Sequence, residues 1–361
     1  MAKKKETEQE TQAPRTKMDV LIKKMNTEAK ESSGNKDEEV ISLGMTRYNY
    51  TRIPFTSPRM NYCTFGGIPV GKIIEFYGEE GGGKTTTALD IVANYQHMEN
   101  AKKVLYIDAE NTLDLEWAEK LGVNVDDIYV YQPKSDGAEK IFDYICEAVK
   151  TDEIGLWVLD SIGMLMSDDE WEKDMDEATY AGISKPLTRF SKKIEMLCAR
   201  HNCTGIGINQ LRDDLKSMWG GTKTPGGRGW KHACIMRLQF SKGKYIDEKG
   251  NEVSKSLENP FGNTVIMSIT KTKACSPSRR VGTYTIDYAI GIDYLKDLVD
   301  VAILYGIIEK SGSWFEIIDT TTGDIIADKI QGQANLTSYL EDNIEVLKKV
   351  EELVDLKMNE K

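Results

Sequence analysis

The chain has little of what builds metal centres or disulfide frameworks. Three histidines (His97, His201, His232) occur in 361 residues, and the six cysteines, Cys63, Cys146, Cys198, Cys203, Cys234 and Cys275, are scattered and mostly set in apolar stretches. Cys198 and Cys203 are the closest pair, and no His/Cys group beside them completes a ligand set, so buried free thiols are expected. Long apolar runs are also missing. Ile154–Leu159 and Val299–Ile308 are of core size, far short of a bilayer span. The opening MAKKKETEQETQ carries no apolar stretch after its lysines, which speaks against a secretory signal and for a cytoplasmic location. Nor is there a surplus of positive charge: 47 Lys and Arg stand against 58 Asp and Glu, a net charge of -11. A generally basic nucleic-acid coat is thereby excluded, because phosphate contacts supply most non-specific affinity, but a local basic path is not.

What is present is a hydrophobic fraction of 40%, enough for one large α/β core with a smaller appended domain or for two modest domains. Residues 1–40 are dominated by Lys, Glu, Gln, Thr and Ser, a composition that does not support a packed core. Within them, Met18–Met25 (MDVLIKKM) has apolar residues at helical spacing and reads as a short docking helix or a solvated arm. From Arg52 onward, short apolar strands alternate with longer helical stretches. The strands are read at Lys72–Tyr77, Val104–Ile107, Ile128–Tyr131, Ile154–Leu159 and Gly205–Ile208. The helices between and around them are read at Thr85–Tyr95, Leu115–Leu121, Ala138–Lys150 and Ile183–Ala199. This alternation predicts a mostly parallel sheet with helices on both faces. After Lys231 the pattern turns strand-rich, and CIMRLQF and TVIMSITK around DEKGNE predict antiparallel strands extending the sheet. From Leu295 the chain reads as a small α+β domain: a helix, short strands at Trp314–Ile317 and Asp324–Ala327, then helices Leu336–Leu347 and Val350–Met358. The expected organisation is an N-terminal arm over 1–45 with a role in oligomerisation, an α/β core over 46–292 and a C-terminal domain over 293–361.

The strongest motif is Gly78-Glu79-Glu80-Gly81-Gly82-Gly83-Lys84-Thr85, a full G-x-x-x-x-G-K-[ST] match between a strand and a helix. Glycines let backbone N–H groups turn inward around a phosphate, and the helix N-terminus adds a favourable dipole. Lys84 can reach the terminal phosphates as a point charge, while the Thr85 hydroxyl can ligate Mg²⁺. Thr86 follows at the start of the helix. In an open parallel sheet, ligands sit at the carboxyl ends of the strands, and three later strand ends carry suitable groups. Ile154–Leu159 runs into Asp160, placed to hold the Mg²⁺ shell. Val104–Ile107 runs into Asp108-Ala109-Glu110, and Glu110 is the candidate base for the attacking water. Gly205–Ile208 runs into Asn209-Gln210-Leu211-Arg212, where the Gln210 amide can sense a γ-phosphate and pass its state to the loop that follows.

With these pieces in this order, the chain resembles the RecA family from about Arg52 to Glu316 and weakly to the end. The densest stretches are GGIPVGKIIEFYGEEGGGKTTTAL, VLYIDAENTLD, LWVLDSIGML, GINQLR, TPGGRGWKHACIMRL, ITKTKACSP and LVDVAILYGIIEKSGSWF. The acidic P-loop, the RIPFTSPRMNYCT lead-in and the N-terminus look more like a bacteriophage-type homologue than a bacterial housekeeping one. The resemblance implies a RecA-like P-loop core, ATP with Mg²⁺, self-association into a helical filament, and pairing of single-stranded DNA with homologous duplex. Helpers such as a single-strand-binding protein and a loader are partners of the same kind. It also implies that Glu110 is the catalytic glutamate and Gln210 the γ-phosphate sensor. Asp114 and Trp117 fall where the family reads and stacks adenine, Tyr288 where another tyrosine packs on the nucleotide, and Lys271 and Lys273 where paired lysines reach a neighbour's ATP.

The first DNA loop is expected at Ser167–Tyr180, an acidic segment whose Trp171, Met175 and Tyr180 can wedge against bases. Arg189 and Lys193 stand one turn apart on the next helix and can meet phosphate. The second loop, Arg212–Lys231, is the better candidate. It holds Arg212, Lys216, Lys223, Arg228 and Lys231, with Met218, Trp219 and Trp230 and a glycine-rich backbone that includes Gly226 and Gly227, a composition suited to tracking and stacking on a single strand. Two other readings share these motifs: a RecA-fold hexameric helicase, against which the ITKTK lysines speak, and a nucleotide-gated assembly or mediator protein that binds single strands without exchanging them.

Overall fold

The computed structural model describes residues 16–33, 50–174, 182–213, 221–248, 250, 252–253 and 258–359. Met1–Tyr50 and Thr51–Lys361 form two separate compact units. In the first, helix α1 (Lys17–Ser33) extends well beyond the expected Met18–Met25. Its start is fixed by a reciprocal cap, with Thr16 N donating to Asp19 Oδ2 at 2.8 Å and Asp19 N donating to Thr16 Oγ1 at 3.1 Å. Met18, Val20, Leu21 and Met25 remain exposed on it.

The second unit is built on one twisted sheet. Its main strands are β1 (Ile73–Gly78), β2 (Lys103–Asp108), β3 (Ile128–Tyr131), β4 (Ile154–Asp160), β5 (Thr204–Gln210), β6 (Met236–Ile246), β7 (Gly262–Thr272), β8 (Val281–Asp287) and the short β9 (Gly291–Ile292), with the two-residue strand Glu252–Val253 paired to the end of β6. They lie in the order β9-β8-β7-β6-β1-β5-β4-β2-β3. All pairs from β6 to β3 are parallel, and β6-β7, β7-β8 and β8-β9 are antiparallel. The expected parallel core with an antiparallel extension is what forms. Strand β8, part of that extension, was not anticipated from its short, interrupted apolar pattern.

Period-two alternation sends neighbouring side chains to opposite faces. Leu156 and Val158 of β4 join Ile74 and Phe76 of β1 under helix α2 (Pro58–Thr64), helix α3 (Lys84–Gln96) and helix α4 (Leu115–Lys120). Trp157 and Leu159 face the other side, where helix α5 (Ala138–Lys150), helix α6 (Ser184–His201) and helix α7 (Gly227–Ala233) supply Ile141, Phe142, Leu187, Phe190 and Trp230. Five of the six cysteines are buried free thiols and Cys275 is half-buried.

A third core, around Leu298, Val301, Phe315, Ile317, Leu336 and Leu353, belongs to the C-terminal part. It comprises helix α8 (Tyr294–Leu304), the antiparallel strands β10 (Ile308–Ser311), β11 (Trp314–Ile318) and β12 (Ile325–Gln331), and helices α9 (Gln333–Asp342) and α10 (Ile344–Asn359). The expected helix Leu336–Leu347 is broken at Asn343. That residue leaves helical geometry (φ -117°, ψ 74°), and both its backbone N and its side-chain Nδ2 donate to Tyr339 O. Among the described residues, no helix is long and apolar enough to cross a membrane.

Candidate active site

The phosphate loop follows from close approach and backbone geometry. At Gly78 a Cβ would stand 2.0 Å from Phe240 O of β6, so no other residue lets the strands meet there. Gly83 caps α3 in the left-handed region (φ 88°), which turns the helix N-terminus toward the loop. Glu79, Glu80 and Gly81 are exposed and Gly82 is buried. Lys84, 8% exposed, donates through Nζ to Glu79 O at 2.7 Å. Burial pulls its pKa down against the opposing pull of Asp160, Glu110 and Glu80.

Thr85 Oγ1 donates to Asp160 Oδ2 at 2.7 Å, and Tyr106 OH donates to the same oxygen at 2.9 Å. Burial pushes the Asp160 carboxyl up to about 6, with Glu110 and Asp108 adding to the shift and the Thr85 and Tyr106 hydrogen bonds opposing it. A hydroxyl and a carboxylate side by side at the base of the phosphate loop are hard oxygen donors, a set that fits Mg²⁺.

Glu110 stands on a turn shaped by Asp108, whose carboxylate accepts from Thr112 N and Leu113 N at 3.1 Å each and from Gln132 Nε2 at 2.9 Å. Glu110 Oε1 accepts from Gln210 Nε2 at 2.9 Å and from Ser161 Oγ. The two residues read from separate strand ends thus form one hydrogen-bonded unit beside Lys84. Ser161 and Tyr106 escaped the sequence reading, since a hydroxyl next to a strand-end carboxylate has no motif of its own.

A cavity of about 430 Å³ opens over the loop. It is lined by Gly81 to Thr86 together with Trp117, Lys242, Asn263, Ile286 and Tyr288, a size suited to a small-molecule ligand. Asp114 is the N-cap of α4 and accepts from Trp117 N at 3.0 Å. Trp117 Nε1 donates to Thr86 Oγ1 at 3.3 Å. Tyr288 OH donates to Asn263 Oδ1 at 2.8 Å. Lys242 and Asn263 were missed because they sit on the antiparallel strands, away from any recognisable spacing.

Within the expected second loop, Arg212–Lys231, a short antiparallel ladder pairs Arg212↔Lys223 and Asp213↔Thr222, and the last residues from Gly227 are helical in α7. Arg212 and Lys223 are exposed there, and Arg212 Nη2 donates to Gly163 O. Lys216, Met218 and Trp219 lie outside the described residues. Gly226 is the N-cap of α7 and Gly227 its first residue; Arg228 is exposed and Lys231 half-buried, with burial lowering its pKa. Trp230 corrects an expectation. Rather than offering a stacking face to DNA, it is fully buried and fills space over Gly207, where a Cβ would come within 2.4 Å of its ring.

Lys271 Nζ donates to Lys231 O, His232 O and Cys234 O at 2.5–3.0 Å, capping the C-terminal end of α7. Lys273 is exposed just past β7, and its backbone N donates to Ile235 O at 3.0 Å. Trp171, 56% exposed, ends a four-residue helix; Met175 and Tyr180 fall outside the described residues. Arg189 and Lys193 line a groove against α5 with Glu139 and Asp143, and Lys193 is ion-paired with Asp143 at 3.0 Å.

A phosphate loop feeding a parallel sheet, a carboxylate beside its threonine and a second carboxylate poised at a neighbouring strand end define a P-loop nucleoside triphosphatase. The chain matches the RecA N-terminal domain over residues 36–293 and the RecA C-terminal domain over residues 296–359. It is 32% identical over 290 residues to Protein RecA of Cereibacter sphaeroides, covering 80% of this chain and 79% of that one. It is 33% identical over 290 residues to Protein RecA of Clostridium tetani and of Pseudomonas savastanoi pv. phaseolicola, covering 80% of this chain and 77% and 76% of theirs. The chain belongs to the RecA family, whose members are nucleotide-binding ATPases.

Proposed function

We propose that this protein is an ATP-dependent recombinase of the bacteriophage type, which assembles as a helical filament on single-stranded DNA and pairs it with homologous duplex. The observation that carries the reading is the hydrogen bond between Gln210 and Glu110. It joins the candidate hydrolytic base to the strand end that leads straight into the basic second loop. In this reading Lys84 neutralises the terminal phosphates, Glu110 orients and deprotonates the attacking water, and Gln210 exchanges Glu110 for the γ-phosphate, which resets the loop. Thr85 and Asp160 would hold Mg²⁺, which when bound neutralises charge on the phosphates. Trp117 and Tyr288 pack on the base, with Asp114 placing Trp117.

Lys271 and Lys273 serve the neighbouring protomer's triphosphate, and for Lys271 that requires release of the three carbonyls at the end of α7. Arg212, Lys216, Trp219, Lys223, Gly226, Gly227, Arg228 and Lys231, with Trp171, Arg189 and Lys193, form the DNA path. Sequence is read by base pairing between strands, so the protein itself has little sequence preference. Residues 1–45 serve oligomerisation, 46–292 the ATPase core and 293–361 a C-terminal domain; a single-strand-binding protein and a loader assist in the cytoplasm.

The test is ATP hydrolysis with and without long single-stranded DNA, with Lys84→Ala as the blank. Stimulation by single strands above that by duplex, followed by strand exchange, supports the proposal. Stimulation with unwinding and no exchange moves the assignment to a helicase, and hydrolysis indifferent to DNA moves it to a nucleotide-gated assembly protein.

A further inference from the structure

Glu75 lies in the middle of β1 with none of its surface exposed, ion-paired with Arg237 of β6, whose side chain is 14% exposed. A buried carboxylate is tolerated only when it is paired and hydrogen-bonded. The remaining bonds of this pair converge on one place. Asn209 Nδ2, on β5, donates to Glu75 Oε1 at 2.9 Å and to Pro225 O at 3.1 Å. Arg237 Nη2 donates to Thr224 Oγ1 at 3.3 Å, and its guanidinium lies 4.5 Å from the Tyr77 ring centroid. Thr224 and Pro225 are the returning end of the second loop, immediately before Gly226 caps α7. Asn209 also precedes Gln210, whose backbone N donates to Asn209 Oδ1 at 3.1 Å and whose side chain reaches Glu110.

We propose that Asn209, braced by the buried Glu75–Arg237 pair, is a positioning residue that pins the returning end of the second loop to the sheet. This rests on the reading of Gln210 as the nucleotide sensor. The loop leaves the sheet just after Gln210 and comes back at Thr224. If both ends were slack, a movement of Gln210 would carry the whole loop along. With Thr224 and Pro225 anchored, the same movement changes the loop's shape against a fixed base. The chemistry at position 209 is specific: both hydrogens of the amide are used, on a carboxylate and on a carbonyl. Aspartate, with the same shape, has no donor for either and would set two carboxylates together.

The test uses the full chain with Mg²⁺ and no DNA. Trypsin cleavage after Lys216 and Lys223 is followed by mass spectrometry with ADP or with a non-hydrolysable ATP analogue, and affinity for a fluorescent ATP analogue is measured in parallel. In the wild type the two nucleotides change the cleavage rate by roughly 5–150-fold, the usual span of coupling between sites. Asn209→Leu brings that ratio to near unity with nucleotide affinity unchanged, an outcome that general loosening of the fold does not produce. Thr224→Val, which keeps the shape and removes only the Arg237 bond, lowers the ratio as well and serves as the readout if Asn209→Leu does not fold. A wild-type loop indifferent to nucleotide, or variants that keep the wild-type ratio, overturns the proposal. Failure of single-stranded DNA to stimulate hydrolysis would overturn the recombinase assignment and leave this ratio untouched, since no DNA enters the digestion.

Discussion

Arg237→Met provides a quantitative check on the buried pair. Glu75 is 0% exposed and its carboxylate takes hydrogen bonds from Arg237 and Asn209. Methionine fills most of the arginine stem but leaves the charge with one neutral amide donor. Breaking a buried pair from one side costs about 3–5 kcal/mol, because the stranded charge retains its desolvation penalty. At about 2–4 °C per kcal/mol for a domain of this size, the melting midpoint of the core falls by roughly 6–20 °C. In Glu75→Gln/Arg237→Met the charge is gone, and the glutamine carbonyl still accepts from Asn209, so most of the loss is recovered. Urea titration followed by circular dichroism reads all three proteins, and a shift in midpoint with an unchanged slope reports stability alone. If Arg237→Met is as stable as the double variant, Glu75 does not carry an uncompensated charge once Arg237 is removed, and the electrostatic account of the network fails.

Glu110→Gln keeps an acceptor for Gln210 and Ser161 but removes the base, so ATP turnover should drop by about 10²–10⁴-fold with nucleotide binding and filaments seen by electron microscopy retained; loss of filaments would sink the role given to Glu110. Trp117→Ala removes an aromatic face worth about 0.5–1.5 kcal/mol, which should raise the Kd for ATP by roughly 2- to 12-fold in a fluorescent-nucleotide displacement assay; an unchanged Kd would take Trp117 out of the base site. Burial pushes the Asp90 carboxyl up to about 6 from 3.8, against hydrogen bonds from Thr56 and Asn94. The folded state therefore holds its proton more tightly than the unfolded chain, and this contribution is full below pH 4 and is lost as pH rises through 6. A shift of about two units corresponds to about 3 kcal/mol. The stability of Asp90→Asn relative to wild type should rise by up to that amount between pH 4 and pH 7, and a difference independent of pH would refute the assignment.

The parts of the site legible from sequence are those whose chemistry is written in consecutive residues. Gly78 to Thr85, Asp160 at the end of an apolar run and the Asn209-Gln210 pair each sit at a strand end, and strand ends can be found from hydrophobic pattern alone. Whether those ends meet is a matter of register. Glu110 follows the end of β2 and Gln210 ends β5, two strands that do not touch, and their bond depends on β4 between them pairing Asp160 with Asp108 on one side and Leu159 with Gly207 on the other. The resemblance gave each residue a role, but the contact had to come from the fold.

Trp230 illustrates the opposite failure. Composition placed it among the loop's stacking aromatics, yet α7 begins at Gly227 and its first turn carries Trp230 inward. The signal was on another strand: Gly205 and Gly207 alternate on β5, and the missing side chains there make room for the Trp157 and Trp230 rings. Lys271 follows the same logic. Two lysines at i, i+2 predict a shared face, but β7 ends at Thr272, and Lys271 alone folds back onto the carbonyls of α7. A long cation near a helix C-terminus lowers its energy by finding those carbonyls, and the end of that helix is brought beside Lys271 by the antiparallel pairing of β6 with β7, which sets Arg237 against Lys271. If Lys271 serves a neighbour's triphosphate as proposed above, that phosphate must compete with the three carbonyls at the end of α7, and the difference between the two partners is the energy with which filament closure would pull on α7 and the loop ahead of it.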